Sequence, residues 1–225
     1  MIRILMAMAV LSGLALPAAL RAETAPAAAA SGPSFDCARA EHATEVLICA
    51  DPRLAALDRE VTRLYRLAAR GPHMTEDRLK ELRAVQRGWI KGRNDCWKAE
   101  DRTACVRAEQ VLRIHALRQG YADARADDDA GISSGPFAAD CVGFDSAVGL
   151  TFVGAEPPMV ALEWRDMRLA LPLGPTGSGA RYAAPAAEVA PWLGEGDVVF
   201  WVKGDAARFD LPGRAPMTCR IEDVG

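Results

Sequence analysis

Between Cys141 and Cys219 the chain runs through Thr176-Gly177-Ser178-Gly179-Ala180-Arg181-Tyr182 and then Phe200-Trp201-Val202-Lys203-Gly204-Asp205. Each segment joins a glycine-containing corner to a short β-type run, the pattern of brief strands meeting at tight turns. Gly177, Gly179 and Gly204 supply the backbone freedom such corners need. Further β-type runs occur at 148–153, 159–164, 167–171, 198–202 and 217–221, separated by Gly, Pro and Asp. Trp164-Arg165-Asp166-Met167 is a tight connection between two of them. Several short strands in so brief a span, with Cys141 near the start and Cys219 near the end, predict a small all-β barrel with stapled terminal strands. Closing that interval would stabilise the unit by roughly 4 kcal/mol on the chain-entropy model.

Upstream the period changes from two to between three and four. Thr44 is the expected cap of a short helix ending at Ala50, and Asp51-Pro52 starts the next, with a capping carboxylate followed by proline in the first turn. Leu54, Leu57, Val61, Leu64 and Ala68 give helix 52–69 one apolar face, and Gly71-Pro72 stops it. Thr75 caps a third helix with Leu79, Leu82, Val85 and Trp89 as its buried stripe. A fourth begins near Asp101 and ends at Gly120. Arg87 and Arg93 are expected to be solvated, with Trp89 in the core.

Composition divides the chain in the same place. Residues 31–125 hold 18 Lys+Arg against 14 Asp+Glu, whereas 138–225 hold 7 against 12. The acidic second half argues against a nucleic-acid partner and suits a cationic one, whose approach it would accelerate. Asp127-Asp128-Asp129 and Ser133-Ser134-Gly135-Pro136 read as a linker between the halves. The expected organisation is therefore a signal peptide at 1–22, a disordered linker at 23–33, a helical domain at 34–120, a linker at 121–137 and a β domain at 138–225. The signal reading rests on Arg3, the apolar run 4–20 and the small residue Ala22. No cysteine precedes Cys37, so no lipid-modified cysteine is expected at the cut. The predicted location is the periplasm or the medium, with no membrane insertion after cleavage.

Six cysteines in an exported chain point to disulfides. Cys37, Cys49, Cys96 and Cys105 allow three pairings, of which the local Cys37–Cys49 and Cys96–Cys105 are the expectation. None stands in a C-x-x-C pair, and His42, His73 and His115 show no ligand spacing. No metal site and no cofactor are expected, and the histidines are given no role. Serine catalysis needs a base in reach, but no histidine follows His115. A Ser178–Lys203 hydrolase is thus the weakest of the function classes, and two glycine-hinged turns are the plain structural reading.

The stretch from Cys141 to Cys219 resembles the membrane-bound inhibitors of c-type lysozyme (MliC) and their soluble periplasmic relatives (PliC). The resemblance rests on the leading cysteine, Leu150-Thr151-Phe152, the two segments quoted first, and Pro216-Met217-Thr218-Cys219-Arg220. The family's S-G-x-x-Y motif falls on Ser178, Gly179 and Tyr182, and its lysine–glycine corner on Lys203 and Gly204. The resemblance implies an eight-stranded antiparallel barrel, no enzymatic activity, and c-type lysozyme as partner. Ser178 and Lys203 would enter the active-site cleft, and Tyr182 would brace the loop. Thr176 stands where the family often has serine. The Ala/Pro-rich stretch 183–197 is longer than the family pattern and leaves the placement of Lys203 relative to Ser178 open. Phe35-Asp36-Cys37, Glu45-Val46-Leu47-Ile48-Cys49, Asp51-Pro52-Arg53-Leu54, Gln86-Arg87-Gly88-Trp89 and Arg93-Asn94-Asp95-Cys96 resemble the N-terminal domain of the LprI lysozyme-inhibitor family. That second resemblance implies a disulfide-braced all-α unit. The alternative to an inhibitor is an envelope interaction module that binds cell-wall glycan or another protein.

Overall fold

The computed structural model describes residues 32–125 and 130–224. The expected signal peptide and nearly all of the 23–33 segment lie outside the described residues. Four helices come first: α1 (Ala43–Ala50), α2 (Pro52–Arg70), α3 (Glu76–Asn94) and α4 (Arg102–Gly120). Carboxylate and hydroxyl caps fix three of their starts. The Asp51 side chain accepts from the Arg53 amide at α2, Thr75 from Arg78 at α3, and Asp101 from Ala104 at α4. None of these helices is long and apolar enough to cross a membrane.

Three local expectations give way. The cap of α1 is His42, not Thr44. His42 Nδ1 accepts from the Thr44 amide at 3.2 Å, and the Glu45 carboxylate accepts from the His42 amide at 3.3 Å, which closes a capping box. Thr44 lies buried inside the helix and donates to the Asn94 carbonyl at 3.2 Å. Val85 is 46% exposed, so Leu79, Leu82 and Trp89 alone carry the inner face of α3. Arg93 is buried at 4% exposure instead of solvated. Its guanidinium lies 3.6 Å from Asp58 and stacks on the Trp89 ring at 5.2 Å. The pairings Cys37–Cys49 and Cys96–Cys105 brace this unit, and Cys141–Cys219 closes the next.

The second half is a closed antiparallel barrel of β1 (Ser133–Cys141), β2 (Val148–Val153), β3 (Met159–Trp164), β4 (Met167–Gly174), β5 (Ala180–Pro185), β6 (Asp197–Lys203), β7 (Ala206–Asp210) and β8 (Met217–Asp223). Strands neighbour one another in chain order, and β8 returns to β1 with Cys141 opposite Cys219. The stretch 121–137 is not a plain linker. Ala122–Arg125 forms a 3₁₀ turn, and Ser133 and Ser134 already pair with Val153 and Phe152 of β2. A register shift between Ser134 and Phe137 accommodates Pro136, which has no amide to donate to the ladder.

Alternation sorts the strands into two faces. Leu150, Leu162, Leu171, Phe200 and Phe209 fill the interior, where Phe209 meets Phe144, Trp164 and Phe200 edge-on. On the outer face, Thr151, Ala161 and Ala170 stand in register across β2, β3 and β4. This row of small side chains is the bed on which α4 lies. One apolar cluster joins Val153, Met159, Ala161 and Ala170 to Leu57, Val61, Val111, Ile114 and Leu117 of the helices. Burying Val153 and Met159 stabilises the junction by roughly 1.5–3 kcal/mol each. At Gly149 a β-carbon would come within 2.7 Å of Gln119 Nε2, the mobile tip of a side chain of α4.

Two polar residues of α4 pin the junction. His115 is fully buried, with Nδ1 2.9 Å from Thr151 Oγ1 and Nε2 3.1 Å from Glu163 Oε2. Arg118 is 1% exposed. It donates to the Ser133 hydroxyl at 2.8 Å and to the carbonyls of Ser133 and Gly135. Ser133 in turn donates to Glu60 of α2. Both residues are functional to the architecture, although the histidines carry no visible signal in the sequence.

Arg118→Ala is expected to destabilise the protein by about 3 kcal/mol, because buried acceptors lose their donor; calorimetry on the full chain measures this. Burial pushes the His115 imidazole below its usual pKa, against the opposing pull of Glu163 and with Arg168 adding to the lowering. The folded state therefore favours neutral His115, while the unfolded chain takes up a proton as pH falls through about 6.5. Stability is full above that pH and declines below it. The melting temperature should fall between about pH 7 and pH 5, and His115→Gln should flatten that slope.

Candidate functional site

Strand direction decides which loops share an end of the barrel. One end carries the Cys141–Cys219 bridge, the Arg165-Asp166 turn and the segment between β5 and β6. The other carries the β2–β3 loop, the β4–β5 loop at 175–179 and the β6–β7 corner at Gly204-Asp205. Ala180 pairs with Val202 and Lys203 with Ala206. Ser178 and Lys203 thus stand on adjacent corners of one end.

The Ser178 loop is held by its own geometry. Gly179 has φ +68°, and a β-carbon there would collide with the Val202 carbonyl oxygen. Only glycine lets the loop lie this close to β6. The Ser178 carbonyl accepts from Trp201 Nε1 at 2.9 Å and from Thr176 Oγ1 at 2.9 Å. These bonds fix the backbone and leave the Ser178 side chain exposed. The second corner is built alike. Gly204 has φ +66°, and the Asp205 carbonyl accepts from the Ile221 amide at 2.7 Å, which ties the turn to β8. Lys203 is exposed and has no ion pair or hydrogen bond among the described residues.

Tyr182 belongs to the same motif but not to the same surface. It is 7% exposed, lies inside the barrel beside Phe152 with ring centroids 5.8 Å apart, and its hydroxyl pKa is raised by burial. Its place is inside the barrel behind the loop, on β5. Trp201 is the residue that sequence reasoning missed. Its signal was present as an aromatic side chain alternating outward beside buried Phe200, three residues before Gly204.

The long 183–197 stretch does not touch this end. It folds into α5 (Ala186–Val189) and a 3₁₀ turn, Pro191–Leu193, at the opposite mouth of the barrel. Ala186 and Ala190 are fully buried there against the barrel core, while Trp192 is 68% exposed. Pro185 and Asp197 pair across its base, so the extra residues leave the β5–β6 register intact. His115 is bonded to Thr151 and Glu163 under α4. Among the described residues no His, Cys, Asp and Glu side chains gather in a metal-holding group, and all six cysteines are paired.

Comparison with known proteins follows the same division. Residues 141–218 match the family model described as membrane-bound lysozyme inhibitor of c-type lysozyme, and residues 36–129 match that of lysozyme inhibitor LprI. Curated relatives include the proteins named lipoprotein LprI of Mycobacterium tuberculosis H37Rv and of Mycobacterium bovis. Each is 25% identical over 191 residues, covering 84% of this chain and 85% of the relative. A match of that length runs through both halves. No solved structure gives a significant match.

Gly179→Ala is expected to destabilise the barrel by about 1–3 kcal/mol, through positive φ and the clash with Val202. Gly177→Ala, with open space around its α-carbon, should be nearly neutral. Thermal denaturation of the two variants side by side tests whether the Ser178 loop is wedged against β6.

Proposed function

We propose that this protein is an exported, non-catalytic inhibitor of c-type lysozyme that blocks the active-site cleft with Ser178 and Lys203. The observation that carries the reading is the placement of an exposed hydroxyl and an unpaired ammonium on neighbouring, internally tied corners of one barrel end. Both family matches are to lysozyme inhibitors, which supports the partner class.

The chemistry fits the target. A lysozyme cleft holds two carboxylates that act as acid and nucleophile around a cationic sugar transition state. An ammonium presented there meets charge of opposite sign in a partly desolvated groove, where charge-assisted bonds are about twice as strong as neutral ones. Because the Lys203 side chain has no ion pair among the described residues, it gives up none of those on binding. Gly179, Gly204 and the Trp201 bond hold the corners in place beforehand, which lowers the entropy lost on association. The acidic composition of this half would speed its encounter with a cationic enzyme. Cell-envelope protection and a periplasmic or secreted location follow from the same reading and from the expected signal peptide.

The Ser178→Ala/Lys203→Ala double variant should keep its fold, since both side chains are exposed, and weaken inhibition of c-type lysozyme by about a hundredfold or more. A turnover assay with purified lysozyme and full-length protein measures this. Undiminished inhibition by the double variant would reject the mechanism.

A further inference from the structure

A groove of about 800 Å³ runs along the outer side of α2, far in kind from the barrel corners. Arg59, Arg63, Arg66 and Arg70 all line it. Their spacing of four, three and four residues places them on one face of the helix. The floor is apolar, made by Ala56, Leu67, Pro72 and Ile132. Among the described residues two acids reach the groove, and both are engaged. Glu60 holds Arg63 at 2.8 Å and accepts from Ser133, and Asp123 lies 2.9 Å from His73. Arg59 is bonded to the Gly32 carbonyl. Arg66 and Arg70 are exposed and have no ion pair or hydrogen bond among the described residues.

We infer that this groove is a docking site for a short, extended acidic peptide with small apolar side chains, as in the stem peptides of cell-wall peptidoglycan. From Arg59 to Arg70 the helix rises about 16 Å at 1.5 Å per residue, the span of roughly five residues of extended chain. The guanidinium forks of Arg66 and Arg70, four residues apart on one face of that helix, match separate carboxylates, each of which takes two parallel hydrogen bonds. The apolar floor accepts methyl groups that a bare phosphate chain would not supply. Nucleic acid is disfavoured by a chain whose net charge is −3. The lining includes neither Ser178 nor Lys203, so the two sites use different side chains.

The test is calorimetric titration of the full-length protein with synthetic L-Ala-γ-D-Glu-meso-diaminopimelyl-D-Ala, with the same peptide amidated at its carboxyls, and with pyrophosphate. The acidic peptide should bind, its affinity should fall as salt rises, and the amidated form should bind at least about tenfold more weakly. Arg66→Ala/Arg70→Ala should lose about tenfold or more in peptide affinity with lysozyme inhibition unchanged. Ser178→Ala/Lys203→Ala should keep full peptide affinity, which separates failure here from failure of the inhibitor reading. No binding of the acidic peptide, equal binding of the amidated one, an unaffected arginine double variant, or binding of pyrophosphate in place of the peptide would each overturn the inference.

Discussion

The docking of α4 onto the outer face of β2, β3 and β4 is the contact on which everything else in this molecule depends. It is made possible by small side chains, Thr151, Ala161 and Ala170, aligned across three strands. Close approach then brings His115 and Arg118 down to polar groups that would otherwise be buried without partners. Unmade hydrogen bonds of that kind are expensive in a dry interface, so the polar pair fixes one relative placement of the halves where apolar packing alone would tolerate several. The two halves consequently share a core. Cutting the chain between them would bare Val153, Met159, Ala161 and Ala170, an apolar face that favours association. Each half is therefore best studied within the full chain.

The same junction explains a peculiarity of the sequence. A strand buried on one side alternates apolar and polar residues, whereas Met159-Val160-Ala161-Leu162 does not alternate. Continuous apolar runs mark strands covered on both faces, and β3 has the barrel core on one side and the helices on the other. That signal was available before any coordinates, yet charge and composition drew attention to the halves as separate bodies. Short-range features were legible because their causes are local: Asp51-Pro52, Thr75 and Asp101 start helices where expected, and Trp164 to Met167 turns as expected. Thr44 misled because a histidine two residues earlier does the same capping with its ring nitrogen. Val85 and Arg93 misled because helical periodicity does not reveal which turn of a helix has a neighbour. The fate of Arg93 is set by Asp58 on another helix. His73 and His115 were unreadable for the same reason, since Asp123, Thr151 and Glu163 are brought near them only by the fold.

Of the candidate site, the glycines were the most readable part, because positive φ and close backbone approach leave few alternatives to glycine at 179. The exposure of Ser178 and Lys203 and their shared end of the barrel needed the strand order. Tyr182 shows the limit of motif reasoning. It stands in the same seven residues as Ser178, but the alternation of β5 turns it into the core, where it stacks on Phe152. A motif can therefore hold both a surface residue and the buried residue that stiffens it.

The two mouths of the barrel have been given different tasks. At one, α5 seats Ala186 and Ala190 against the core, so the extra residues of 183–197 act as a stopper and keep Phe200 dry. At the other, the corners are short and tied by Trp201 and Ile221 to neighbouring strands. Lengthening a β-hairpin at one end leaves register at the other unchanged so long as the base pair of the insertion is intact, and Pro185 opposite Asp197 is that pair. The tied corners are thus the ones that display Lys203 and Ser178, while the added residues sit at the far mouth. Any partner that this end binds would gain from that division, since backbone ordered in advance is freedom not lost at binding.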